Sequence, residues 1–479
     1  MNITTFISSL LNFQASSGFG SSLIFIVSVF FWLIRLLIEG MAGALDACVH
    51  VFADAGNTKV IIFSAMVGAL ITFTQYSGGM EGFINWVTEK RLVRNRMGAQ
   101  LLAWVTGLVI FIESSICVLI TGAIARPLFD KFKISREKLA YIADSTSAPK
   151  CVLFPLNAWG AFIMMLLAGQ GIASPAKALV GSIFLNFYAW FAIGIVLLTI
   201  LLDRDFGPMK KAEKRVREQG KLLNDGAEPV VATEVISVEK KSDIPARMRN
   251  MLIPILVLVI MMPLGLYITG VSAQINSGTF KSYSALLDII MSGSGSTAVF
   301  WAVLAALVAG GILYASQRIM TLKELMEQFM KGVGGLIPLA ILMMLAFAIG
   351  DTCKILGTGT YVARVAKTWL VPQLIPAMLF LISCFIAFST GTSWGTFAIM
   401  IPIAIPIVNM LDLPETLVIA TVLGGGVFGD HCSPISDTTI IASMAAATDH
   451  IDHVRTQIPY AFSAAGIALV FYLIAGLFL

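Results

Sequence analysis

The chain has 479 residues, 57% of them hydrophobic and only 13% charged, with a net charge of +4. Its mean hydropathy is +0.87. Soluble domains carry about 25% charged residues, so this composition excludes an ordinary soluble enzyme or nucleic-acid-binding module and implies a polytopic membrane protein.

The first twenty residues lack a basic n-region and a cleavage site, so the first crossing is expected to act as the insertion signal. A helical crossing takes about 20 apolar residues. By that measure crossings fall at 20–38, 60–75, 151–170, 178–202, 251–271, 296–316, 333–350, 417–448 (broken) and 457–479. The six cysteines are scattered without C-x-x-C spacing, and read as small apolar packing groups.

Two apolar blocks behave differently. Residues 98–125 are preceded by Lys90, Arg91, Arg94 and Arg96 and followed by Arg126, Lys131, Lys133, Arg136 and Lys138. Basic flanks stay cytoplasmic, and 28 residues cannot cross twice, so this block is expected to be a re-entrant hairpin with its tip near Glu113-Ser114-Ser115. Residues 368–411 hold 44 uncharged residues with Ser389-Thr390-Gly391-Thr392-Ser393 at the centre. They form a second hairpin, or two full spans. Between the halves, 203–250 carries eleven basic and nine acidic residues, which suits a partly helical, mobile cytoplasmic connector.

The expected fold class is an all-α polytopic membrane protein of two inverted-topology repeats, each with a hairpin and a broken transmembrane helix. That makes about nine full spans plus two hairpins. The organisation follows: 1–202 first repeat, 203–250 linker, 251–272 connecting helix, 273–479 second repeat. The N-terminus is expected in the cytoplasm and the C-terminus outside, in the inner (plasma) membrane.

Polar clusters mark the working part. Asp144-Ser145-Thr146-Ser147-Ala148-Pro149 lies in the first half, Asp430-His431-Cys432-Ser433-Pro434-Ile435-Ser436-Asp437-Thr438-Thr439 in the second. Ionisable groups at membrane depth default to function. A cation leaving water needs carboxylate, hydroxyl and carbonyl oxygens. Ser145, Thr146, Ser147, Thr390, Thr392, Ser393, Ser433 and Thr438 offer them. Gly391 lets the hairpin backbone approach, and Pro149 and Pro434 remove donors. The acids are Glu113, Asp144, Asp351, Asp430 and Asp437. Asp437 and Asp430 are the first choices as ion- and proton-linked groups, with His431 beside them. A sodium site is expected at Asp437, Ser433, Thr390 and Ser145.

Lys150 stands near Asp144 as a salt-bridge partner, a tethered cation, a partner for a substrate carboxylate, or a snorkelling side chain. Asp449-His450-Ile451-Asp452-His453 has i, i+3 histidines, and reads as a solvated turn that helps sense pH.

These residues carry a resemblance. Ser389 to Phe397 with Ile401-Pro402, Gly429 to Thr439, Thr456-Gln457-Ile458-Pro459-Tyr460-Ala461, and Ser135 to Tyr141 leading into Asp144-Ser145-Thr146 resemble the NhaC-type Na⁺/H⁺ antiporter family of the ion-transporter superfamily. The resemblance implies Na⁺ extrusion against inward H⁺, with some members exchanging organic acids or amino acids. The chain departs from the family pattern at Glu113-Ser114-Ser115, where paired aspartates are usual, and at Lys150, where an apolar residue is usual. The expected function is Na⁺/H⁺ exchange by alternating access, with no cofactor beyond the transported ions. The alternative is an antiporter of an organic acid or amino acid. An intramembrane aspartyl protease with an Asp351–Asp430 dyad is the remote one. Expected partners are membrane lipid and a small ion or organic substrate, with a homodimer left open and no nucleic acid.

Overall fold

The computed structural model describes residues 40, 42–89, 93–109, 114–155, 157–229, 241–242, 244–276, 286–357, 361, 364 and 371–479. Two compact units divide at Asp54 and Ala55. In the first, a short apolar helix spans Ala42–Ala53; the crossing expected at 20–38 lies outside the described residues.

The second unit is built mainly of helices in its described part. Long apolar runs fold this way because a bilayer offers backbone groups no partners, so every N–H must bond within its own segment. In chain order the helices are α1 (Ala55–Tyr76), α2 (Gly79–Glu89), α3 (Arg96–Val109), α4 (Ser114–Lys131), α5 (Arg136–Leu153), α6 (Ala158–Gly169), α7 (Pro175–Ser182) and α8 (Phe187–Leu202). Then come α9 (Gly207–Gln219), α10 (Arg249–Asn276), α11 (Leu286–Met291), α12 (Gly295–Ser316) and α13 (Leu322–Ile355). The last are α14 (Ile375–Thr390), α15 (Ser393–Leu411), α16 (Glu415–Cys432), α17 (Asp437–Ala446) and α18 (His450–Gly476). Among the described residues seven helices are long and apolar enough to cross a membrane, or eight if the bent pair α5–α6 counts as one span.

Each half pairs a helical hairpin with an interrupted helix. In the first, α3 and α4 pack on each other and on α5. In the second, α14 and α15 pack on α16, and each of those two arms is long enough to cross. The helix beyond each interruption leans on the other half: α17 packs on α4 and α5, and α6 packs on α15. The pieces before the interruptions, α5 and α16, touch each other. This interlocking places Asp144 and Asp430 at a common junction.

Sequence chemistry explains the interruptions. Between α16 and α17, Ser433–Ser436 forms a turn around Pro434, and Ser436 caps α17 by accepting from Thr439 N at 3.3 Å. In the first half the break was expected at Asp144–Pro149, but α5 runs through Pro149 to Leu153. The interruption falls at 154–157, where Asn157 caps α6 through Gly160 N at 2.8 Å. Pro149 removes only one N–H, the donor for Ser145 O, and packing holds the rest of the helix. The crossing expected at 151–170 is therefore two pieces bent by 44°. The crossing expected at 178–202 also divides, because Asn186 caps a new helix, α8, through Ala189 N.

Glycine sets the closeness of the second half. A Cβ on Gly425 would meet Phe380 O at 2.5 Å, and one on Gly429 would meet Cys384 O at 2.5 Å, so α16 lies directly against α14. Gly391 ends α14 in the left-handed region at φ 68°, which any L side chain resists.

Part of the linker is docked rather than a loose connector. In α9, Met209, Ala212 and Val216 are buried, and the helix packs on α5 and α18. A network of ion pairs ties the same region together: Lys138 with Asp205 at 2.7 Å, Arg215 with Glu137 at 2.7 Å, and Arg96 with Glu213. Glu213 also accepts from Ser135 N, at the cap of α5. Further along, Glu228 N reaches Asp449 Oδ2 at 3.1 Å, at the start of α18.

Candidate functional site

Two buried carboxylates meet at the junction of the halves. Asp430, on the last turn of α16, is 1% exposed. Ser393 Oγ, on the first turn of α15, donates to its Oδ2 at 2.5 Å, and Ser436 Oγ donates to its Oδ1 at 2.6 Å. Thr438 Oγ1 lies 3.1 Å from Ser436 Oγ. The hairpin turn and the α16–α17 break therefore converge on one carboxylate with three hydroxyls around it. Short O–H···O⁻ bonds of this kind are strong, but they bring no positive charge.

Asp144, midway along α5, is fully buried. Its Oδ2 accepts from Gln457 Nε2 at 2.7 Å and from Thr439 Oγ1 at 3.2 Å. His453 Nε2 lies 3.6 Å from the same oxygen, beyond hydrogen-bond reach. Oδ1 has no partner. Gln457 Nε2 also donates to His431 O at 2.8 Å. Thr439 joins the two acids: its hydroxyl is 3.2 Å from Asp144 Oδ2 and 3.2 Å from the main-chain oxygen of Asp430. Among the described residues no lysine or arginine forms an ion pair with either acid.

The other expected site residues fall in several places. Ser433 is buried and donates to Phe388 O at 2.8 Å. Thr146 and Ser147 bond back to Ile142 O and Asp144 O of their own helix, the usual fate of a hydroxyl inside a helix. Ser145 is buried on the same turn. Thr390 is exposed and bonds back to Ile386 O. Thr392 Oγ1 is buried without a hydrogen-bond partner, and Gly391 packs on Ile435. Asp437 is exposed at the start of α17, its Oδ1 accepting from Thr438 N at 2.8 Å. The hydroxyls expected to form a sodium site with Asp437 thus do not gather: Thr390 and Ser433 are committed to carbonyls. Glu113 lies outside the described residues.

Three expectations need correction. Lys150 does not snorkel: it is fully buried, and its Nζ donates to Gly107 O and lies 2.7 Å from Cys117 Sγ, fixing the first hairpin to α5. The 449–453 segment is not a solvated turn. It opens α18, with Asp449 as cap, and His453 is fully buried. Asp351 is exposed on α13, whereas an acid dyad needs two carboxylates sharing one buried site.

Sequence reasoning missed His453 and Gln457 as site residues. A lone amide and an imidazole one turn apart at the start of an apolar helix were the available signal. His431 was found, and its Nδ1 lies 2.8 Å from the hydroxyl of buried Tyr188 on α8.

A membrane-embedded bundle with paired hairpins, interrupted helices and buried acids at their junction defines a secondary transporter. The Na⁺/H⁺ antiporter family model matches residues 151–477, and the chain belongs to that family. A Haemophilus influenzae protein described only as uncharacterized is 33% identical over 437 residues, covering 89% of this chain and 80% of its own. The arginine/ornithine antiporter ArcD of Halobacterium salinarum is 31% identical over 146 residues, 30% of this chain and 29% of that one. The malate-2H⁺/Na⁺-lactate antiporter of Bacillus subtilis is 30% identical over 131 residues, 24% of this chain and 28% of its own.

Among solved structures, the Alcanivorax borkumensis YdaH transporter superposes with a TM-score of 0.52 at 12% identity, covering 91% of this chain and 88% of that one. Neisseria gonorrhoeae MtrF superposes with a TM-score of 0.51 at 13% identity, covering 91% and 84%. These two likenesses concern the fold alone. The chain is a multi-pass membrane protein and a secondary antiporter.

Proposed function

We propose that this antiporter exchanges Na⁺ for H⁺ by alternating access, in the inner membrane, with the 203–250 linker on the cytoplasmic side. The observation that carries the reading is the pair of buried acids from the two halves, tied by Thr439. A carboxylate in a low-dielectric junction without a fixed cation is costly when ionised, so it gains by taking either a proton or a metal cation. Competition for one negative charge is the minimum machinery of cation/proton exchange.

Asp430 with Ser393 and Ser436 is the cation cradle in this reading. The two hydroxyls rotate their protons away, and their oxygens join the carboxylate around the ion. Movement of the hairpin α14–α15 against α16, or of α17 against α4 and α5, would open the cradle to one side and then the other. The paired hairpins and interrupted helices fit two repeats of opposite topology.

In proteoliposomes with an imposed pH gradient, a Na⁺ pulse is expected to collapse the gradient. If an organic acid or amino acid collapses it and Na⁺ does not, the ion assignment is wrong. The names of the ArcD and malate/lactate relatives favour that second reading, in which Lys150 pairs with a substrate carboxylate. Lys150→Val separates the two: altered organic-substrate affinity supports the second, and unchanged transport leaves Lys150 as a hairpin anchor.

A further inference from the structure

His453 is a buried imidazole that the cation cradle does not use. It is fully buried on α18, and neither ring nitrogen has a hydrogen-bond partner. An unpartnered buried polar group costs about 1–3 kcal/mol, so each such group calls for an explanation. Its neighbour Asp144 has the complementary defect, with Oδ1 unpartnered while Oδ2 is held by Gln457 and Thr439. The 3.6 Å gap between His453 Nε2 and Asp144 Oδ2 is a few tenths of an ångström too long for a bond.

We infer that His453 and Asp144 form the proton-carrying pair of the exchange cycle, separate from the Asp430 cradle, with the Thr439 hydroxyl as the link between them. This rests on the exchange reading above. A proton arriving on His453 Nε2 makes an imidazolium facing the Asp144 carboxylate. Its transfer to an Asp144 oxygen leaves a neutral imidazole and a neutral acid, and one proton is accounted for throughout.

Thr439 has one hydroxyl proton and two acceptors at equal distance. When Asp144 is ionised, the proton points to Asp144 Oδ2. When Asp144 is protonated, it turns to the Asp430 carbonyl oxygen, at the edge of the cradle. The state of one acid is thereby read at the other. On α16, His431 lies close enough to both Asp144 and His453 to feel their charge, and Tyr188 on α8 reaches His431. α17 presents the hydroxyl of Thr439 to Asp144, whereas Ser443 lies against His450. α9 presents Lys211 and Arg215 beside Asp452 and Arg455, at the linker end of α18.

The chain has only four histidines, so His453 can be followed by NMR of histidine-labelled, detergent-solubilised wild-type protein. Its titration is expected to shift when Na⁺ replaces choline; a titration indifferent to Na⁺ overturns the inference. In proteoliposomes, His453→Gln is expected to lower Na⁺-driven proton movement at least tenfold and flatten its dependence on pH between 5.5 and 8.5. A His453→Gln protein with the wild-type rate and pH profile overturns the inference. Thr439→Ser is expected to retain coupling and Thr439→Val to weaken it about tenfold. Equal behaviour of those two variants removes the link. Wild-type protein inert to Na⁺ in transport defeats the exchange reading itself, and does so before any variant is compared.

Discussion

The molecule buries charge in two places and treats it in opposite ways. At the linker face every buried acid meets a base: Asp205 has Lys138, Glu137 has Arg215, and Glu213 has Arg96. At the junction of the halves, Asp144 and Asp430 meet hydroxyls, an amide and an imidazole. Burial is alike, since the Lys138 and Asp205 side chains are 0% and 3% exposed and the two junction acids 0% and 1%. The difference lies in charge balance. A carboxylate matched by a fixed guanidinium or ammonium is a structural clamp, because it needs nothing more. A carboxylate matched only by neutral groups has a charge to neutralise, and a mobile cation or proton can do it. The first region ties α3, α5 and α9 together; in the second, α5 and α16 bring together acids that have no fixed counter-charge.

The largest effect expected is on the clamp. Lys138→Met leaves Asp205 buried and without its base, which typically costs about 3–5 kcal/mol. Adding Asp205→Leu should recover most of that loss. Denaturation in detergent followed by tryptophan fluorescence checks both, and a harmless single change would erase the contrast between the regions.

At the junction, Asp430→Asn should leave unfolding unchanged yet lower Na⁺ exchange by more than about 100-fold, since even outer partners of a cation site are worth about 10–100-fold. Asp437→Asn, at an exposed position, should cost less. The reverse order would place the working acid at the mouth rather than in the core. Thr439→Val should cost about tenfold in coupling, the scale of one hydrogen bond to a charged group.

The smallest effect concerns a half-buried pair near the surface. Lys241 Nζ sits 2.6 Å from Glu324 Oε1 in the first turn of α13, outside the crossing. That ammonium, with Thr321 bonds, depresses the Glu324 carboxyl to about 2. A depressed acid adds stability above its unfolded value near 4.5 and loses it as the pH falls toward 2. Lys241→Ala should flatten the acid-side fall in melting temperature over that window while leaving neutral-pH transport alone, as a screened surface pair predicts.

Much of this was legible in the chain. Crossings such as Ala55–Tyr76, Arg249–Asn276 and Gly295–Ser316 follow from run length, because the bilayer sets it. The break around Pro434 and the buried rank of Asp430 follow from polar residues and a donorless proline at membrane depth. The first break was misplaced because a single proline bends or spares a helix according to what packs around it. Asn186 was missed inside an apolar run because a cap depends on local backbone angles. The docking of α9 was missed because a charged segment looks solvated until its ion-pair partners are known.

The sequence by itself determined that this is a multi-pass transporter, where most of its helices run, and that polar clusters with Asp144, Asp430 and Asp437 interrupt its apolar runs, because composition, run length and isolated polar residues are properties of single segments. Only the tertiary structure decided which of those acids acquire fixed counter-charges. It drew Lys150 to Gly107 and Cys117, brought His453 and Gln457 from α18 to Asp144, and set Thr439 between the two acids. These are contacts between residues up to 313 positions apart, and they exist only once the helices have chosen their neighbours.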